Sequence, residues 1–275
     1  MEEARTVKQT VIDRFFGSFG RRAVGMRSSL VFLYRLVLDS LYWTFAAPLL
    51  GKGLRVGSTF DEMVKVGVNA VPIVMLISFS IGLILAMQSA YQLEQFGATI
   101  FTADLVAVAQ VRELGPLMTA IIVAGRSGSG IAAEIGTMKV GEEIEALQSM
   151  GFNPVKFLVV PKLLALGIMV PCLTVISDFV GIMGGVSIAV FSLDLGFTRY
   201  ITRTIFALVF KDLLTGLIKS VVFAALVGLT GCYMGFKVEG GAEGVGRNTT
   251  MSVVVSIFLI IVSDAFFTSL FYYIW

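Results

Sequence analysis

Five ionisable side chains lie within stretches of the sequence that are otherwise apolar. They are Arg112, Glu113, Asp178, Lys219 and Asp264. A charge at bilayer depth costs at least about 2.5–3.5 kcal/mol on insertion scales, so such side chains ordinarily face a cavity or a partner. A set of two cations and three carboxylates can pair internally when a site is empty and re-pair with a phosphate or a zwitterionic headgroup. These residues therefore predict recognition of charge inside a membrane.

The sign of each charge suggests its role. Arg112 and Lys219 are the better candidates to bind phosphate, and Glu113 and Asp264 would hold those cations or tune the cavity around them. All four are expected at similar depth in one half of the bilayer. Two other interpretations stay open. The charges could be structural ion pairs between helices, or Asp178 and Asp264 could be the proton or sodium sites of an ion-coupled secondary transporter.

An apolar stripe accompanies these charges. Phe79, Leu83 and Met87 recur every four residues, so they share one face of a helix. A lipid tail needs an adaptable apolar wall, which methionine suits, so we assign the three to the substrate cavity. Ordinary helix packing or a lipid-facing surface would give the same pattern.

The composition is that of a membrane protein and disfavours histidine-dependent catalysis. Of 275 residues, 56% are hydrophobic and 15% are charged, against about 45–50% and about 25% in soluble domains. There is no histidine, and both cysteines lie in apolar runs, so we predict no metal site and no enzyme activity. Ser220 beside Lys219 is the one suggestion of a serine–lysine enzyme, but neighbouring helical residues point apart.

The hydropathy pattern predicts an all-α integral membrane protein with about five transmembrane helices. Residues 1–60 would form cytoplasmic or interfacial amphipathic helices, and residues 61–275 the transmembrane domain. The predicted spans cover about 66–93, 105–125, 163–193, 213–236 and 249–275. Sixteen Lys and Arg fall on one side of these spans and five on the other, which predicts a cytoplasmic N-terminus and a C-terminus on the far side.

Residues 29–50 are apolar but differ from the other runs. Arg35 and Asp39 share a helical face, and Pro48 stops the helix. With its aromatic residues the segment is typical of an interfacial helix lying on the cytoplasmic leaflet. A sixth span is the alternative.

The loop between the second and third spans predicts a short cytoplasmic coupling helix over about 134–150. Gly151 suits its end and Pro154 blocks its continuation. Such a helix could transmit a partner's motion to two spans at once, although a simple solvated turn is the alternative. No Gly-Lys-Ser/Thr follows the glycines at 125, 128 and 130, so a nucleotide-binding loop is not predicted. The candidate coupling residues are Glu134, Met138, Lys139, Glu142, Glu143, Glu145, Leu147 and Gly151.

These motifs resemble known families. Glu145-Ala146-Leu147 with Gly151 and Pro161 is similar to the loop by which ABC-importer permeases dock on their ATPase. More specifically, Val111–Pro116, Ala124–Met138 and Leu217–Phe223 resemble the MlaE/YrbE family, the permease subunits of ABC systems that move phospholipids between bacterial membranes.

The resemblance implies a homodimer in the bacterial inner membrane, bound to an MlaF-like ABC ATPase and an MlaD-like MCE-domain protein, often with an MlaB-like STAS-domain protein. It implies that ATP and Mg²⁺ bind the ATPase and that this chain binds no cofactor. It also implies that Glu113, Lys219 and Asp264 belong to a translocation cavity for glycerophospholipid. A part in the lipid asymmetry of the outer membrane is a further implication of the resemblance.

Overall fold

The computed structural model describes residues 31–46, 55–192 and 195–274, and every regular element in these ranges is helical. The predictions for residues 1–30 and 47–54 lie outside the described residues. The α-helices are α1 (31–41), α2 (Val56–Val66), α3 (Val71–Glu94), α4 (Thr102–Ala109), α5 (Gly115–Val123), α6 (Ser129–Val140), α7 (Glu143–Ser149), α8 (Val160–Ser192), α9 (Phe197–Ala207), α10 (Phe210–Phe236) and α11 (Gly241–Ile274).

Five helical stretches in the described residues are long and apolar enough to cross a membrane. They are Val56–Glu94, Thr99–Val140, Val155–Phe191, Phe210–Phe236 and Gly241–Ile274. The chain is therefore a multi-pass helical membrane protein, as the sequence predicts. The observed helices extend beyond the predicted spans at several ends, because polar residues continue a helix past the hydrocarbon.

Helix α1 packs on the bundle. Leu36 is buried in the main core, and the ring of Phe32 lies 5.9 Å from that of Tyr233 on α10. A π-helical turn, Tyr42–Ala46, follows α1, and the ammonium of Lys156 lies 4.8 Å from the ring of Trp43 in that turn. Paired aromatic and basic residues are typical of a membrane interface.

Helices α3 and α8 approach each other closely through glycines. A Cβ at Gly82 would lie 1.8 Å from the carbonyl oxygen of Gly181, and one at Gly184 would lie 2.3 Å from that of Phe79. Small residues allow such approach between membrane helices. A buried hydrogen bond of 2.7 Å between the hydroxyls of Ser78 and Ser177 joins the same two helices.

The second span is one rod whose helical geometry changes twice. A π-helical turn, Gln110–Leu114, separates α4 from α5, and a second, Ala124–Gly128, separates α5 from α6. A π turn is an α-helical turn with one inserted residue, closed by hydrogen bonds between residues five apart, and such turns are frequent at functional sites. The first of them contains both Arg112 and Glu113.

The loop after α6 differs from the single helix predicted over about 134–150. The chain forms two helices there, because it turns at Gly141 and Glu142. Glu142 has φ 58°, a left-handed conformation that is uncommon for residues other than glycine. Gly151 ends the segment with φ 80°, which is consistent with its predicted position at a helix end. Helix α7 thus lies at an angle fixed by the turn, and Ile144 is buried in the core.

The main core forms where helices of the second, third, fourth and fifth spans meet. Leu166 of α8, Phe223 of α10, Ile260 of α11 and Ile135 of α6 are all buried in it. At the opposite end of the bundle from α7, a smaller core forms around Tyr200 of α9. We refer to these two ends as the α7 side and the α9 side.

Candidate functional site: a buried lysine between two carboxylates

Three of the predicted intramembrane charges meet in one cluster. The Nζ atom of Lys219 lies 2.5 Å from Oε2 of Glu113 and 2.9 Å from Oδ1 of Asp264. The three residues come from the second, fourth and fifth spans. The structure therefore brings together charges that are far apart in the sequence, and we call Glu113, Lys219, Asp264 and their bonded neighbour Thr268 the Lys219 cluster.

The cluster lies well inside the membrane-spanning helices. Lys219 lies about 14 Å along α10 from Phe210, and Asp264 about 15 Å from Ile274. The side chain of Lys219 is completely buried, whereas those of Glu113 and Asp264 retain 34% and 18% of their exposure. The cation is thus covered by the two carboxylates, which face the outside of the chain.

Thr268 completes the cluster, and sequence reasoning missed it. Lys219 Nζ donates to Thr268 Oγ1 at 2.8 Å, and that hydroxyl donates to Glu113 Oε1 at 3.1 Å. Thr268 follows Asp264 by one helical turn, so the two side chains share a face of α11. The four-residue spacing from Asp264 could have indicated that Thr268 joins the cluster. A single threonine in an apolar run, however, does not stand out in a hydropathy profile.

Arg112 does not join the Lys219 cluster. Its Nη1 lies 3.6 Å from Oδ1 of Asp212, near the start of α10. The other carboxylate oxygen of Asp212 accepts a 3.0 Å hydrogen bond from the backbone amide of Val209, the residue that caps the N-terminus of α10, as the third residue of a helix does in a capping box. Asp212, also missed from the sequence, therefore fixes the start of α10 and holds Arg112 beside the cluster.

Asp178 lies apart from the other charges. It is only 6% exposed, and its Oδ1 has no hydrogen-bond partner among the described residues. A Cβ at Gly115 would lie 1.8 Å from this oxygen, so the carboxyl packs on the backbone of α5. On the same side of the second span, the side-chain amide of Gln110 donates a 3.3 Å hydrogen bond to the backbone carbonyl of Ser177, the residue before Asp178. The rod thus presents Gln110 and Gly115 to α8, and Glu113 to α10 and α11.

The apolar stripe lies on another part of the surface. Phe79 and Met87 are exposed on α3, by 37% and 53%, and Leu83 is half-buried beside Gly184 of α8. Helix α3 packs chiefly against α8 and α4. Within one chain, the stripe is therefore not part of the Lys219 cluster, and it leaves an apolar face directed outwards.

A second ionic network lies on the α7 side. The Nζ atom of Lys162, which is 3% exposed, lies 2.9 Å from Glu62 Oε1 and 2.8 Å from Glu134 Oε2. This network joins α2, α6 and α8. Of its members, only Glu134 was singled out from the sequence.

The remaining predicted coupling residues surround the turn between α6 and α7. Lys139 forms an ion pair with Glu145 across that turn, and this hydrogen bond lowers the pKa of the Glu145 carboxyl. Met138 and Leu147 pack against the main core. Glu142 and Glu143 are exposed. The corner therefore combines a buried apolar side with a surface rich in carboxylates.

These features define a class of protein, and similarity to known proteins narrows it. Five apolar helices with buried ion pairs are typical of a multi-pass membrane transport protein. The family described as Permease MlaE matches residues 59–270. The chain belongs to this family of ABC transporter permeases.

Similarity to individual proteins agrees with this family assignment. The chain is 40% identical over 211 residues to a probable ABC transporter permease protein of Rickettsia prowazekii (strain Madrid E), which covers 77% of this chain and 82% of the relative. It is 34% identical over 245 residues to a probable ABC transporter permease protein of Synechocystis, covering 88% and 93%. It is also 32% identical over 217 residues to the chloroplast protein TRIGALACTOSYLDIACYLGLYCEROL 1 of Arabidopsis thaliana, covering 78% and 61%.

Proposed function

We propose that the chain is the permease subunit of an ABC transporter that moves glycerophospholipid out of or across the bacterial inner membrane. Two copies would form a cavity, and a separate ATPase would supply the energy. The observation that carries this proposal is the Lys219 cluster, a fully buried cation held by carboxylates that remain partly exposed at membrane depth.

The charge balance of the cluster suits a phospholipid headgroup. Lys219 has two carboxylate partners, so the cluster has an excess of negative charge that can attract the ammonium of a zwitterionic lipid. Arg112, 39% exposed and paired at 3.6 Å, can turn from Asp212 to a lipid phosphate. Re-pairing of this kind exchanges one set of ion pairs for another, which limits the desolvation cost of a charged headgroup.

Acyl chains need a separate, apolar surface. Phe79, Leu83 and Met87 supply one on α3, and its outward direction fits a cavity wall completed by a second copy of the chain. We therefore retain these three residues, with Arg112, Glu113, Lys219 and Asp264, as the proposed substrate cavity. In a homodimer, headgroup and tails would then contact different helices.

The two ends of the bundle would serve different partners. An MlaF-like ATPase, which binds ATP and Mg²⁺, would dock on the exposed carboxylates around α7, with an MlaB-like protein on the ATPase. An MlaD-like MCE protein would receive or deliver lipid on the α9 side. This assignment puts the α7 side in the cytoplasm and agrees with the Lys/Arg bias of the sequence.

The comparisons with known proteins support transport, and one relative's name suggests a lipid, without specifying phospholipid. Membership of the permease family supports transport rather than catalysis, and the name of the Arabidopsis relative is that of a diacylglycerol lipid. Transport of phospholipid by this chain, and any part in outer-membrane lipid asymmetry, belong to the proposal.

A reconstitution experiment tests the proposal. The chain, its ATPase and its MCE partner are placed in liposomes with fluorescent phosphatidylethanolamine, and ATP-dependent lipid transfer is measured. We expect transfer to require ATP and to be lost in Glu113→Gln, which keeps the size of the side chain. Glu94→Gln, at the end of α3, is the matched control and should transfer normally.

Two results would contradict the proposal. Transfer by the isolated chain without an ATPase would exclude an ABC mechanism. Transport driven by a pH or sodium gradient, and abolished by Asp178→Asn or Asp264→Asn, would instead support the ion-coupled alternative. Asp178 packs against Gly115 whereas Asp264 pairs with Lys219, so the two carboxylates of that alternative have different surroundings and can be tested separately.

A further inference from the structure

A groove of about 300 Å³ lies between α1, α8 and α10, outside the Lys219 cluster. Ser40 and Thr44 line it from α1 and the π turn that follows, Gly167 and Ile168 from α8, and Val221 from α10. Apart from the two hydroxyl residues, these walls are apolar. Ile168 and Val221 are each 48% exposed, so the groove opens on the surface of two candidate membrane spans.

The depth of the groove is defined by its surroundings. Gly167 lies about 11 Å along α8 from Val160, which places it in the half of the membrane nearer α7. Lys156 and Trp43 lie together near the start of α8 and the end of α1. Aromatic and basic side chains of this kind mark the boundary between hydrocarbon and headgroups. The groove therefore begins just inside that boundary, where acyl chains are the surrounding solvent.

Two hydroxyl groups in the groove wall lack partners. Ser40 is 2% exposed, and neither its Oγ nor the Oγ1 of Thr44 has a hydrogen-bond partner among the described residues. The two residues are one helical turn apart on the same face of the chain. A buried hydroxyl without a partner is unfavourable, particularly where no water is available. Each hydroxyl is a donor that can rotate toward an acceptor in the groove.

We propose that this groove is a binding site for one acyl chain of a membrane diacylglycerophospholipid. The chain lies along Gly167, Ile168 and Val221, and its ester carbonyl accepts a hydrogen bond from Ser40 or Thr44. The headgroup then lies at the level of Lys156. The site is distinct from the Lys219 cluster, because Lys219 and Val221 point to nearly opposite sides of α10. It does not depend on the proposed transport.

Gly167 allows a direct test of occupancy. A Cβ at this position would meet no described atom within 4 Å, so Gly167→Leu fills the groove without displacing the backbone. Gly246→Leu on α11 is the matched control, since a Cβ there also meets nothing within 4 Å. The full-length chain in nanodiscs is photolabelled with phosphatidylethanolamine that carries a diazirine in one acyl chain, and the labelled peptides are identified by mass spectrometry.

We expect labelling on residues 163–168 and 221–229, and a decrease of at least about tenfold in Gly167→Leu, equivalent to about 1.4 kcal/mol of binding. Gly246→Leu should label these peptides like the unmodified chain. Equal labelling in Gly167→Leu, or labelling no stronger than that of the exposed surface of α11, would overturn the proposal and indicate ordinary surrounding lipid only.

The linkage of the acyl chain tests the role of the hydroxyls. An ether-linked analogue lacks the ester carbonyl, so we expect it to label the groove several-fold more weakly than the ester lipid. The double variant Ser40→Ala/Thr44→Val should remove this preference while leaving labelling by the ether lipid unchanged. Equal labelling by the two lipids in the unmodified chain would overturn the assigned hydrogen bond.

Discussion

The ammonium of Lys219 lies 2.5 Å from the carboxylate of Glu113, although 106 positions separate the two residues. Asp264 Oδ1 lies 2.9 Å from the same ammonium. Three membrane spans are therefore tied together at one atom. Because the lysine is fully buried, its partners are not interchangeable with water, and loss of the lysine itself would leave two neighbouring carboxylates without a cation.

Replacement of Lys219 by methionine should strongly destabilise the protein. The side chain keeps its length but loses its charge, so Glu113 and Asp264 are left unpaired near each other. Removing one partner of a buried ion pair typically costs about 3–5 kcal/mol. Thermal unfolding in detergent measures the loss. Lys237→Met, at an exposed position, is the control, and an equal effect of the two substitutions would contradict the structure.

Neutralising the whole cluster separates stability from function. The triple variant Lys219→Met/Glu113→Gln/Asp264→Asn contains no unpaired charge, so we expect it to recover most of the stability that Lys219→Met loses. We expect no recovery of ATP-dependent lipid transfer, because the groups proposed to bind the headgroup are absent. Recovery of transfer would mean that the charges serve structure alone.

Thr268 should contribute through its hydroxyl. Thr268→Val keeps the shape but removes the bonds to Lys219 and Glu113. Thr268 is itself exposed, but the Lys219 ammonium is fully buried, and leaving one of its N–H groups without an acceptor costs about 1–3 kcal/mol. Thr268→Ser retains the hydroxyl and should lose less than half of that amount. Unfolding midpoints of the two variants provide the comparison, and equal midpoints would show that the hydroxyl has no energetic role.

The close approach of α3 and α8 should make Gly82 sensitive to a single methyl group. A Cβ there would lie 1.8 Å from the carbonyl oxygen of Gly181, so Gly82→Ala must separate the helices. Overpacking of this kind typically costs about 1–3 kcal/mol. Gly246→Ala on α11, where a Cβ meets nothing, should be neutral or stabilising by up to about 1 kcal/mol. Unfolding of both variants is measured under one detergent condition, and a neutral Gly82→Ala would exclude this packing.

The corner between α6 and α7 should loosen in acid. The hydrogen bond from Lys139 lowers the pKa of Glu145 in the folded chain. Stability from this pair is therefore complete above the ordinary pKa of a glutamate and is lost as pH falls through the lower, folded value. Hydrogen exchange of residues 143–150, corrected for the intrinsic effect of pH, should accelerate over that range.

Lys139→Met supplies the control for that measurement. Without the ammonium, the pKa of Glu145 should return towards its ordinary value, and exchange in residues 143–150 should be fast throughout the same pH range. An unchanged exchange profile in Lys139→Met would contradict the ion pair.

Much of the architecture could be predicted from the sequence, because hydropathy indicates where the spans lie and the positions of the charges indicate their depth. Five helical spans follow from the lengths of the apolar runs, and the similar expected depth of Glu113, Lys219 and Asp264 anticipates their meeting. The bend at Gly141 and Glu142 was missed. It needs a left-handed conformation at a glutamate, which no local pattern signals.

The pairing of Arg112 with Asp212, outside the Lys219 cluster, could not be predicted for a related reason. Arg112 lies in a π-helical turn, whose side-chain directions differ from those of the α-helix that sequence patterns assume. The pairing of Arg112 with Asp212 also requires α10 to begin near Phe210, a boundary set by tertiary packing. Neither Asp212 nor Thr268 has an unusual sequence context.

The π turn at Gln110–Leu114 should make the second span sensitive to a change in its length at this point. A π turn is an α-helix with one inserted residue, so deletion of a single residue there would restore a regular helix and rotate one half of the rod by about 100° against the other. Gln110 and Gly115 could then no longer face α8 while Glu113 faces Lys219. The helix segments before and after the π turn therefore have different rotational settings about the span axis, and each setting is fixed by contacts with different neighbouring helices. An insertion or deletion between positions 110 and 115 would disturb both sets of contacts.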